Sequence, residues 1–156
     1  MQVKDCMKNN VYSIYPQTKI VEAARIFSAK HVGSLPVTDA HGKLVGLLQL
    51  GDLLDLVLPD FLKLIDDVDF VRSFGAVEAR KPSDEMLESP VKKFMQPPVS
   101  VEAESGLLRA FSLLRKHQIH DLPVIDGNGI LVGIVSRVDI GTACVASWNV
   151  SQAGGE

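Results

Sequence analysis

Leu-Pro-Val-Thr-Asp-Ala-His-Gly-Lys-Leu-Val-Gly occupies residues 35–46, and Leu-Pro-Val-Ile-Asp-Gly-Asn-Gly-Ile-Leu-Val-Gly occupies residues 122–133. The match extends outward from these stretches at a constant offset of 87. When residues 11–53 are laid on residues 98–140, eleven of 43 positions are identical. A match of this kind indicates an internal repeat. The chain therefore contains two copies of one structural unit.

The quoted stretches predict a β-hairpin in each copy. Apolar strands are predicted at residues 35–38 and 44–48, and at 122–125 and 130–135, with a polar turn that contains Asp and Gly between them. A short extended piece precedes each hairpin, at residues 12–14 in the first copy and 99–101 in the second. In each copy an amphipathic helix lies between this piece and the hairpin. We expect Thr18 and Ser105 to be the N-caps of these helices.

Apolar spacing predicts which helical residues are buried. The predicted faces are Ile20, Ala24 and Phe27 in the first copy, and Leu107, Phe111 and Leu114 in the second. After each hairpin an Asp opens a further helix, predicted at residues 53–58 and 140–148. Each copy thus has the order β-α-β-β-α. One copy is too small to bury its sheet well, so we predict an α+β fold in which the two copies pack sheet to sheet.

The predicted domain boundaries follow the repeat. Residues 1–58 form the first copy, residues 59–90 a helical insertion and connector, residues 91–148 the second copy, and residues 149–156 a C-terminal tail. Apolar residues recur at near-helical spacing in the insertion, which predicts one or two helices. Such an insertion either covers an edge of the sheet or contacts a partner and gates the site.

Composition excludes several classes of protein. The 156 residues carry a net charge of −3, so the chain lacks the basic field that nucleic-acid binding needs. Cys6 and Cys144 lie at opposite ends of the chain and suggest neither a disulfide framework nor a zinc site. No apolar stretch is long enough to span a membrane or direct export. We expect a cytoplasmic protein.

The repeat, with its Leu-Pro-Val-x-Asp and Leu-Val-Gly strands and the Asp at its end, resembles the cystathionine-β-synthase (CBS) domain. The resemblance implies a stand-alone CBS pair, in which two repeats related by a pseudo-twofold axis place their sheets in contact. It also implies clefts between the repeats that bind AMP, ADP, ATP or S-adenosylmethionine as regulatory ligands. Regulation and energy sensing are the roles that such ligands suggest.

The family's binding pattern can be carried over residue by residue. It consists of a Ser or Thr in the first strand, the backbone before the Pro, and a Gly-x-x-Ser/Thr-x-x-Asp stretch. The second copy matches throughout, with Ser100, Ile119, His120, Asp121, Leu122, Pro123, Ser136, Arg137 and Asp139. The first copy matches at Ser13, Ser34, Leu35, Pro36 and Asp52, but it has Gln49 where the pattern has a small hydroxyl.

The chemistry of these residues suits an adenosyl ligand. An Asp at the mouth of a helix can accept hydrogen bonds from both ribose hydroxyls, while Ser136 and the first helical N–H groups face a phosphate. Arg137 adds a phosphate donor. The alternative for Asp52 and Asp139 is an ordinary N-cap. His120 either contacts the ligand, through its backbone or across the pseudo-twofold axis, or is a half-exposed residue between helix and strand.

Other patterns point away from catalysis. His117 and His120 have the spacing of metal ligands, but no further Cys or His completes a site. No nucleophile elbow, phosphate-binding loop or His-Glu-x-x-His motif occurs, so we expect a binding protein and no enzyme. The alternatives are a small nucleotide-processing enzyme that uses the same cleft and a ligand-free interaction scaffold.

Partners are expected on two levels. Trp148 and Val145 on the last helix either pack against the core or form an oligomer interface. We expect a homodimer built from such helices, and a protein effector of unknown identity that reads the bound ligand.

Overall fold

The computed structural model describes residues 1–58, 72–73, 75 and 80–148. The first repeat contains helix α1 (Ile20–Lys30), strands β1 (Ser34–Thr38) and β2 (Leu44–Gln49), and helix α2 (Leu50–Asp55). A short helix, α3 (Asp84–Leu87), precedes the second repeat. That repeat contains β3 (Val101–Glu102), α4 (Leu107–His117), β4 (Asp121–Ile125), β5 (Leu131–Ser136) and α5 (Arg137–Ala146).

The predicted insertion and tail are only partly covered by these ranges. Within residues 59–90 the structure describes residues 72–73, 75 and 80–90, and the helices predicted for the rest lie outside the described residues. The predicted tail, residues 149–156, also lies outside them. None of the described helices is both long and apolar enough to cross a membrane.

The two predicted hairpins are confirmed. β1 pairs antiparallel with β2, β4 pairs antiparallel with β5, and β3 runs parallel to β4. In each turn one Asp carboxylate accepts two backbone hydrogen bonds. In the first turn, Oδ1 of Asp39 accepts from the N–H groups of His41 and Lys43 at 2.8 and 3.0 Å. Gly42 and Gly129 have φ values of 82° and 79°, which side chains disfavour, and this explains a Gly at both positions.

The predicted N-caps are wrong by one residue. Lys19 and Gly106 occupy the N-cap positions of α1 and α4, and neither makes a side-chain cap. The hydroxyls of Thr18 and Ser105 are engaged just before the helices, where Thr18 accepts from the N–H of Tyr15 and Ser105 donates to Glu102. Local turns thus take the hydroxyls that would otherwise cap each helix.

The buried helical faces are also shifted slightly. Ala23 and Ala110 are fully buried, whereas Ala24 and Phe111, which the spacing selected, are only partly buried. A small residue at the inner position lets each helix approach its hairpin, and the neighbouring position then lies at the margin of the core. The remaining four predicted positions are buried.

Each repeat is completed by the segment that precedes the other repeat. A 3₁₀ turn, Val3–Asp5, begins the first arm (residues 1–10), and a second turn, Val91–Lys93, begins the second arm (residues 89–98). The first arm packs in the core of the second repeat, and the second arm packs in the core of the first. The two arms therefore cross between the repeats.

Equivalent backbone hydrogen bonds hold both arms. The N–H of Val3 donates to the carbonyl of Ser105, and that of Val91 to the carbonyl of Thr18, both at 2.8 Å. Further along, Lys8 exchanges both backbone bonds with Ile134, and Gln96 does so with Leu47. These paired contacts obey the same approximate twofold symmetry as the repeats.

Glycine allows the arms to approach the strands. A Cβ on Gly133 would lie 2.7 Å from Sδ of Met7 and 3.0 Å from the carbonyl oxygen of Lys8. A Cβ on Gly46 would meet Met95 and Gln96 in the same way. The Leu-Val-Gly signature therefore marks the points at which the two arms cross their strands.

The hairpins meet at the approximate twofold axis. The N–H of Leu44 donates to the carbonyl of Gly129 at 3.2 Å, and the N–H of Leu131 donates to the carbonyl of Gly42 at 3.1 Å. The predicted α+β arrangement of two repeats with their sheets in contact is confirmed.

Candidate functional site

A cavity of about 210 Å³ lies at the approximate twofold axis, and we call it the dyad cavity. The residues that line it come from three parts of the chain. Lys8 and Asn10 belong to the first arm, Val32, Gly33 and Ser34 lead into β1, and Asp121 and Ile134 belong to the second repeat; Val11, Tyr12 and His31 complete the lining. The cavity is therefore shared between the repeats.

Ser34 and Asp121 occupy equivalent positions in the two repeats, since each is the first residue of its inner strand. They approach each other across the axis, where the Ser34 hydroxyl lies near the Asp121 carboxylate. A Cβ on Gly33 would lie 3.1 Å from Oδ2 of Asp121, so the chain passes close to this carboxylate. The two repeats therefore differ chemically where they meet at the axis, since one contributes a hydroxyl and the other a carboxylate.

Burial raises the pKa of Asp121 above its ordinary value because the charged form is poorly solvated. The nearby Ser34 hydroxyl, Lys8 and His120 lower the pKa of Asp121 and so act in the opposite direction. The nearby charge of Asp139 raises the pKa further. Asp121 is thus a partly desolvated acid in the wall of the cavity.

Asp139 lies at the mouth of α5, next to the first arm. Its Oδ2 accepts from the N–H of Ser136 at 2.9 Å, and the Ser136 hydroxyl accepts from the N–H of Asp139 at 3.0 Å. Ser136 is therefore the N-cap, and Asp139 is the third helical residue of a capping box. The alternative in which Asp139 is the N-cap is therefore wrong by three positions. Because Ser136 is the N-cap, α5 begins at Arg137, earlier than the sequence predicted.

The second carboxylate oxygen of Asp139 faces Lys8. Its Oδ1 lies 3.9 Å from the Lys8 ammonium, which is too long for a hydrogen bond, and the Asp139 side chain is 17% exposed. This oxygen makes no hydrogen bond with the described residues. Lys8 was not among the residues selected from the sequence, because it lies in the arm before the repeat begins.

The equivalent position in the first repeat is occupied by protein groups. Oδ2 of Asp52 accepts from the N–H of Gln49 at 2.7 Å, and its Oδ1 accepts from Nε2 of Gln96 at 2.9 Å. Asp52 therefore also lies three residues after an N-cap, so the N-cap alternative is wrong here too. Gln96 occupies the place that Lys8 has in the other half. The two Asp residues are equivalent in fold but unequal in availability.

The other sequence-selected residues are spread over both halves. Leu35, Leu122 and Ile119 are buried in the core, as are Pro36 and Pro123 in the inner strands. Ser13 lines a second cavity of about 390 Å³ beside the hairpin turns, together with Thr38 and Asp39. Ser100 is half-buried just before β3.

His120 and Arg137 are adjacent through their backbones. The carbonyl of His120 accepts from the N–H of Arg137 at 3.1 Å, and the His120 side chain is exposed. Nε of Arg137 is buried and has no hydrogen-bond partner among the described residues. Arg137 is not one of the residues that line the dyad cavity.

The first arm adds a residue, Lys8, to the grouping of site residues that the sequence suggested. The sequence placed Ser100, His120, Ser136 and Asp139 in one cleft of the second repeat. In the structure the first arm brings Lys8 beside Asp139, and Lys8 and Ile134 face residues 32–34 of the first repeat. This grouping follows from the crossed arms, which no local sequence pattern reveals.

Comparisons with known proteins agree with this architecture. A protein-family model for the CBS domain matches residues 3–59 and 91–145. The uncharacterized protein MJ1426 of Methanocaldococcus jannaschii is 29% identical over 151 residues, which cover 90% of this chain and 89% of that protein. The chloroplastic CBS domain-containing protein CBSX1 of Arabidopsis thaliana is 30% identical over 157 residues, which cover 94% of this chain and 63% of that protein.

A solved structure has the same arrangement. The crystal structure of CBSX2 from Arabidopsis thaliana in complex with AMP has a TM-score of 0.71 and 27% sequence identity. The match covers 95% of this chain and 98% of that chain. Two matched repeats, crossed arms and a cavity on the approximate twofold axis identify the architecture: the chain belongs to the CBS domain family and is a CBS pair.

Proposed function

We propose that the protein is a regulatory sensor. It binds an adenine nucleotide or another adenosyl compound, such as S-adenosylmethionine, between its repeats and signals occupancy to a partner protein. The observation that carries this proposal is the dyad cavity, whose walls come from the first arm and from both repeats. The AMP bound to the related CBSX2 supports an adenosyl ligand.

Asp139 is the proposed ribose-binding residue. Asp139 does not itself line the cavity, but its Oδ1 lies 3.9 Å from the ammonium of Lys8, which does. This oxygen makes no hydrogen bond with the described residues, so it can accept from ribose hydroxyls. Hydrogen bonds to a charged acceptor are stronger than those between neutral groups. Asp139 also lies at the N-terminus of α5, and the positive end of the helix dipole there stabilises its negative charge.

The remaining proposed contacts are those that the sequence selected. In this proposal the backbone around the inner strands contacts the adenine, and hydroxyls complete the polar contacts. The set comprises Ser13, Ser34, Leu35, Pro36 and Asp52 from the first repeat, and Ser100, Ile119, His120, Asp121, Leu122, Pro123, Ser136 and Arg137 from the second. The half that contains Asp139 is proposed to bind more tightly than the half that contains Asp52.

The crossed arms suggest how occupancy is communicated. A ligand in the dyad cavity contacts both repeats and the first arm at once, so it favours the arrangement in which all three are docked. A ligand can shift an equilibrium only through such differential contacts. The function proposed here is binding and signalling, with no chemical step, in the cytoplasm.

Self-association is proposed for the outer helices of the second repeat. Val138 on α5 is 74% exposed, Trp148 just after it is 68% exposed, and Leu108 on α4 is also exposed. Leu108 and Trp148 line one surface cavity and Val138 lines another, and exposed apolar side chains of this kind are typical of an interface. We propose an isologous homodimer through these helices. Light scattering that gives a 17.0 kDa particle over a wide concentration range contradicts it.

A thermal-shift panel tests the proposed function. AMP, ADP, ATP, S-adenosylmethionine and 5′-methylthioadenosine are compared with a ligand-free sample. A ligand at 100 times its Kd adds about 2.7 kcal/mol to the stability of the folded state. For a chain of this length this corresponds to a rise in Tm of about 5–10 °C.

Two variants make the panel specific. With binding weakened at least tenfold, Asp139→Ala is expected to lose about half of the shift or more at the same ligand concentration. Asp55→Ala, at an exposed position on α2, is expected to keep it. If none of the five compounds raises Tm, the ligand-free scaffold is favoured and the proposed function is contradicted. Conversion of a bound nucleotide, followed by chromatography, favours the enzyme alternative.

A further inference from the structure

The charges around the dyad cavity are unusual for a phosphate site. Lys8 is the one Lys or Arg among the described residues that line it, and its ammonium lies 3.9 Å from Oδ1 of Asp139. The carboxylate of Asp121 also lines the cavity. The positive charge of one lysine is therefore shared between two carboxylates, and it can balance little of the negative charge of a bound anion.

The size of the cavity limits where a phosphate can go. Its volume is about 210 Å³, and Lys8 in its lining lies 3.9 Å from Oδ1 of Asp139. In the proposed binding mode the ribose is bound at Asp139, and the 5′ substituent points into this small cavity. Arg137, the phosphate donor predicted from the sequence, does not line this cavity. A phosphate in the cavity would therefore meet the carboxylate of Asp121, with Lys8 as the one Lys or Arg in the described lining to offset the repulsion.

We propose that the dyad cavity selects adenosyl compounds without a 5′ phosphate, and that the carboxylate of Asp121 rejects the phosphorylated ones. The inference rests on the proposed function, since it names the ligand class of the same site. Like charges in a partly desolvated site repel each other strongly because little water screens them. A neutral thioether or a cationic sulfonium on the 5′ carbon meets no such repulsion.

The matching position in the other repeat supports this role. Ser34 stands where the second repeat has Asp121, and the inner strands fold in the same register. A small uncharged residue is therefore sufficient for the fold at this position. The carboxylate of Asp121 is partly buried, which disfavours its charged form and raises its pKa, and the hairpin does not require it.

Titration calorimetry on the full chain tests the proposal with 5′-methylthioadenosine, adenosine and AMP. The variants are Asp121→Asn, which removes the charge and keeps the shape, and Asp121→Ser, which copies the first repeat. Glu104→Gln is the matched control, because it removes one negative charge at an exposed position away from the cavity. Thermal melts confirm that each variant is folded.

The wild type is expected to bind 5′-methylthioadenosine at least tenfold more tightly than AMP. Asp121→Asn and Asp121→Ser are expected to tighten AMP binding about tenfold and to change 5′-methylthioadenosine binding less than threefold. Glu104→Gln should change neither. These ratios separate the charge of Asp121 from the net charge of the chain.

A pH series adds an independent readout. The groups that face Asp121 are the Ser34 hydroxyl, Lys8, His120 and Asp139, and His31 lines the same cavity. AMP binding by the wild type is expected to strengthen as the pH falls through the raised pKa of Asp121. Subtracting the Asp121→Asn series removes the protonation of AMP itself and of the histidines.

The outcomes separate this inference from the proposed function. If the wild type binds AMP as tightly as 5′-methylthioadenosine, or if both Asp121 variants leave AMP binding unchanged, the inference is overturned and the proposed function stands. If no adenosyl compound binds with or without phosphate, both are overturned.

Discussion

The crossed first arm predicts that a small change near the N-terminus destabilises the second repeat. Val3 is 0% exposed and packs with the core of that repeat, where Val101, Leu107 and Ile140 also lie. Val3→Ala removes two buried methyl groups and keeps the backbone bond to Ser105. The variant therefore probes packing between the arm and the second repeat.

The magnitude follows from the burial. Each buried methyl or methylene group contributes about 0.8 kcal/mol, and the cavity that the change leaves adds to the cost. We expect the free energy of unfolding to fall by about 2 kcal/mol. For a domain of this length the corresponding decrease in Tm is about 4–8 °C. Val91→Ala in the second arm, also 0% exposed, is expected to behave in the same way.

Urea unfolding measures the change with two signals. The fluorescence of Trp148 reports on the end of the second repeat, and far-UV circular dichroism reports on the whole chain. Both midpoints should decrease together. Lys4→Ala is the matched control, since Lys4 is exposed in the same 3₁₀ turn, and it should stay within about 0.5 kcal/mol of the wild type. A Val3→Ala variant as stable as Lys4→Ala refutes the packing of the arm.

Further expectations concern the ligand site, the crossing glycines and pH. Asp139→Ala should weaken adenosyl binding at least tenfold in calorimetry, and it should cost about 1 kcal/mol of stability because the Ser136 N–H loses its carboxylate acceptor. Asp52→Ala should weaken binding less, because Gln96 already donates to Oδ1 of Asp52. The reverse order contradicts the assignment. Gly133→Ala should destabilise the fold by about 1–3 kcal/mol because its Cβ meets Met7 and Lys8, whereas Gly141→Ala, with open space around it in α5, should stabilise by up to about 1 kcal/mol; equal melting temperatures count against the close approach of the arm. The pKa of Asp121 is raised on folding, so ionisation of Asp121 costs stability as the pH rises above its ordinary value of 3.8, and the cost is complete above the folded pKa. Asp121→Asn should therefore gain stability relative to the wild type over that range in pH-dependent urea unfolding, and a constant difference contradicts the raised pKa.

Much of the fold was predictable because its signals are local and occur twice. Alternating apolar residues around Asp39 and Gly42 define a hairpin, and the same pattern recurs around Asp126 and Gly129. The predicted N-caps were wrong because another local hydrogen bond competes for the same side chain. Turns before the helices engage the hydroxyls of Thr18 and Ser105. The helix starts at Leu50 and Arg137 were missed because the capping box places the Asp three residues inside the helix.

The crossed arms could not be predicted from the repeat. Their contacts join segments far apart in the chain, and much of the contact is made by backbone hydrogen bonds, which carry no residue-specific pattern. One signal was present: Val3 and Met7 match Val91 and Met95 at an offset of 88, one more than the offset of the repeats. Lys8 and Gln96 occupy equivalent positions at the same offset. They distinguish the two halves of the site, because Lys8 lies beside Asp139 and Gln96 donates to Asp52.

The central claim is that one adenosyl ligand is bound by both repeats together. A crystal structure of the full chain with the compound that gives the largest thermal shift tests it most directly. We predict that the ribose lies on Asp139 of the second repeat while the same ligand contacts residues 32–34 of the first repeat and Lys8 of the first arm. A ligand bound by residues of one repeat alone, or outside the dyad cavity, contradicts the account.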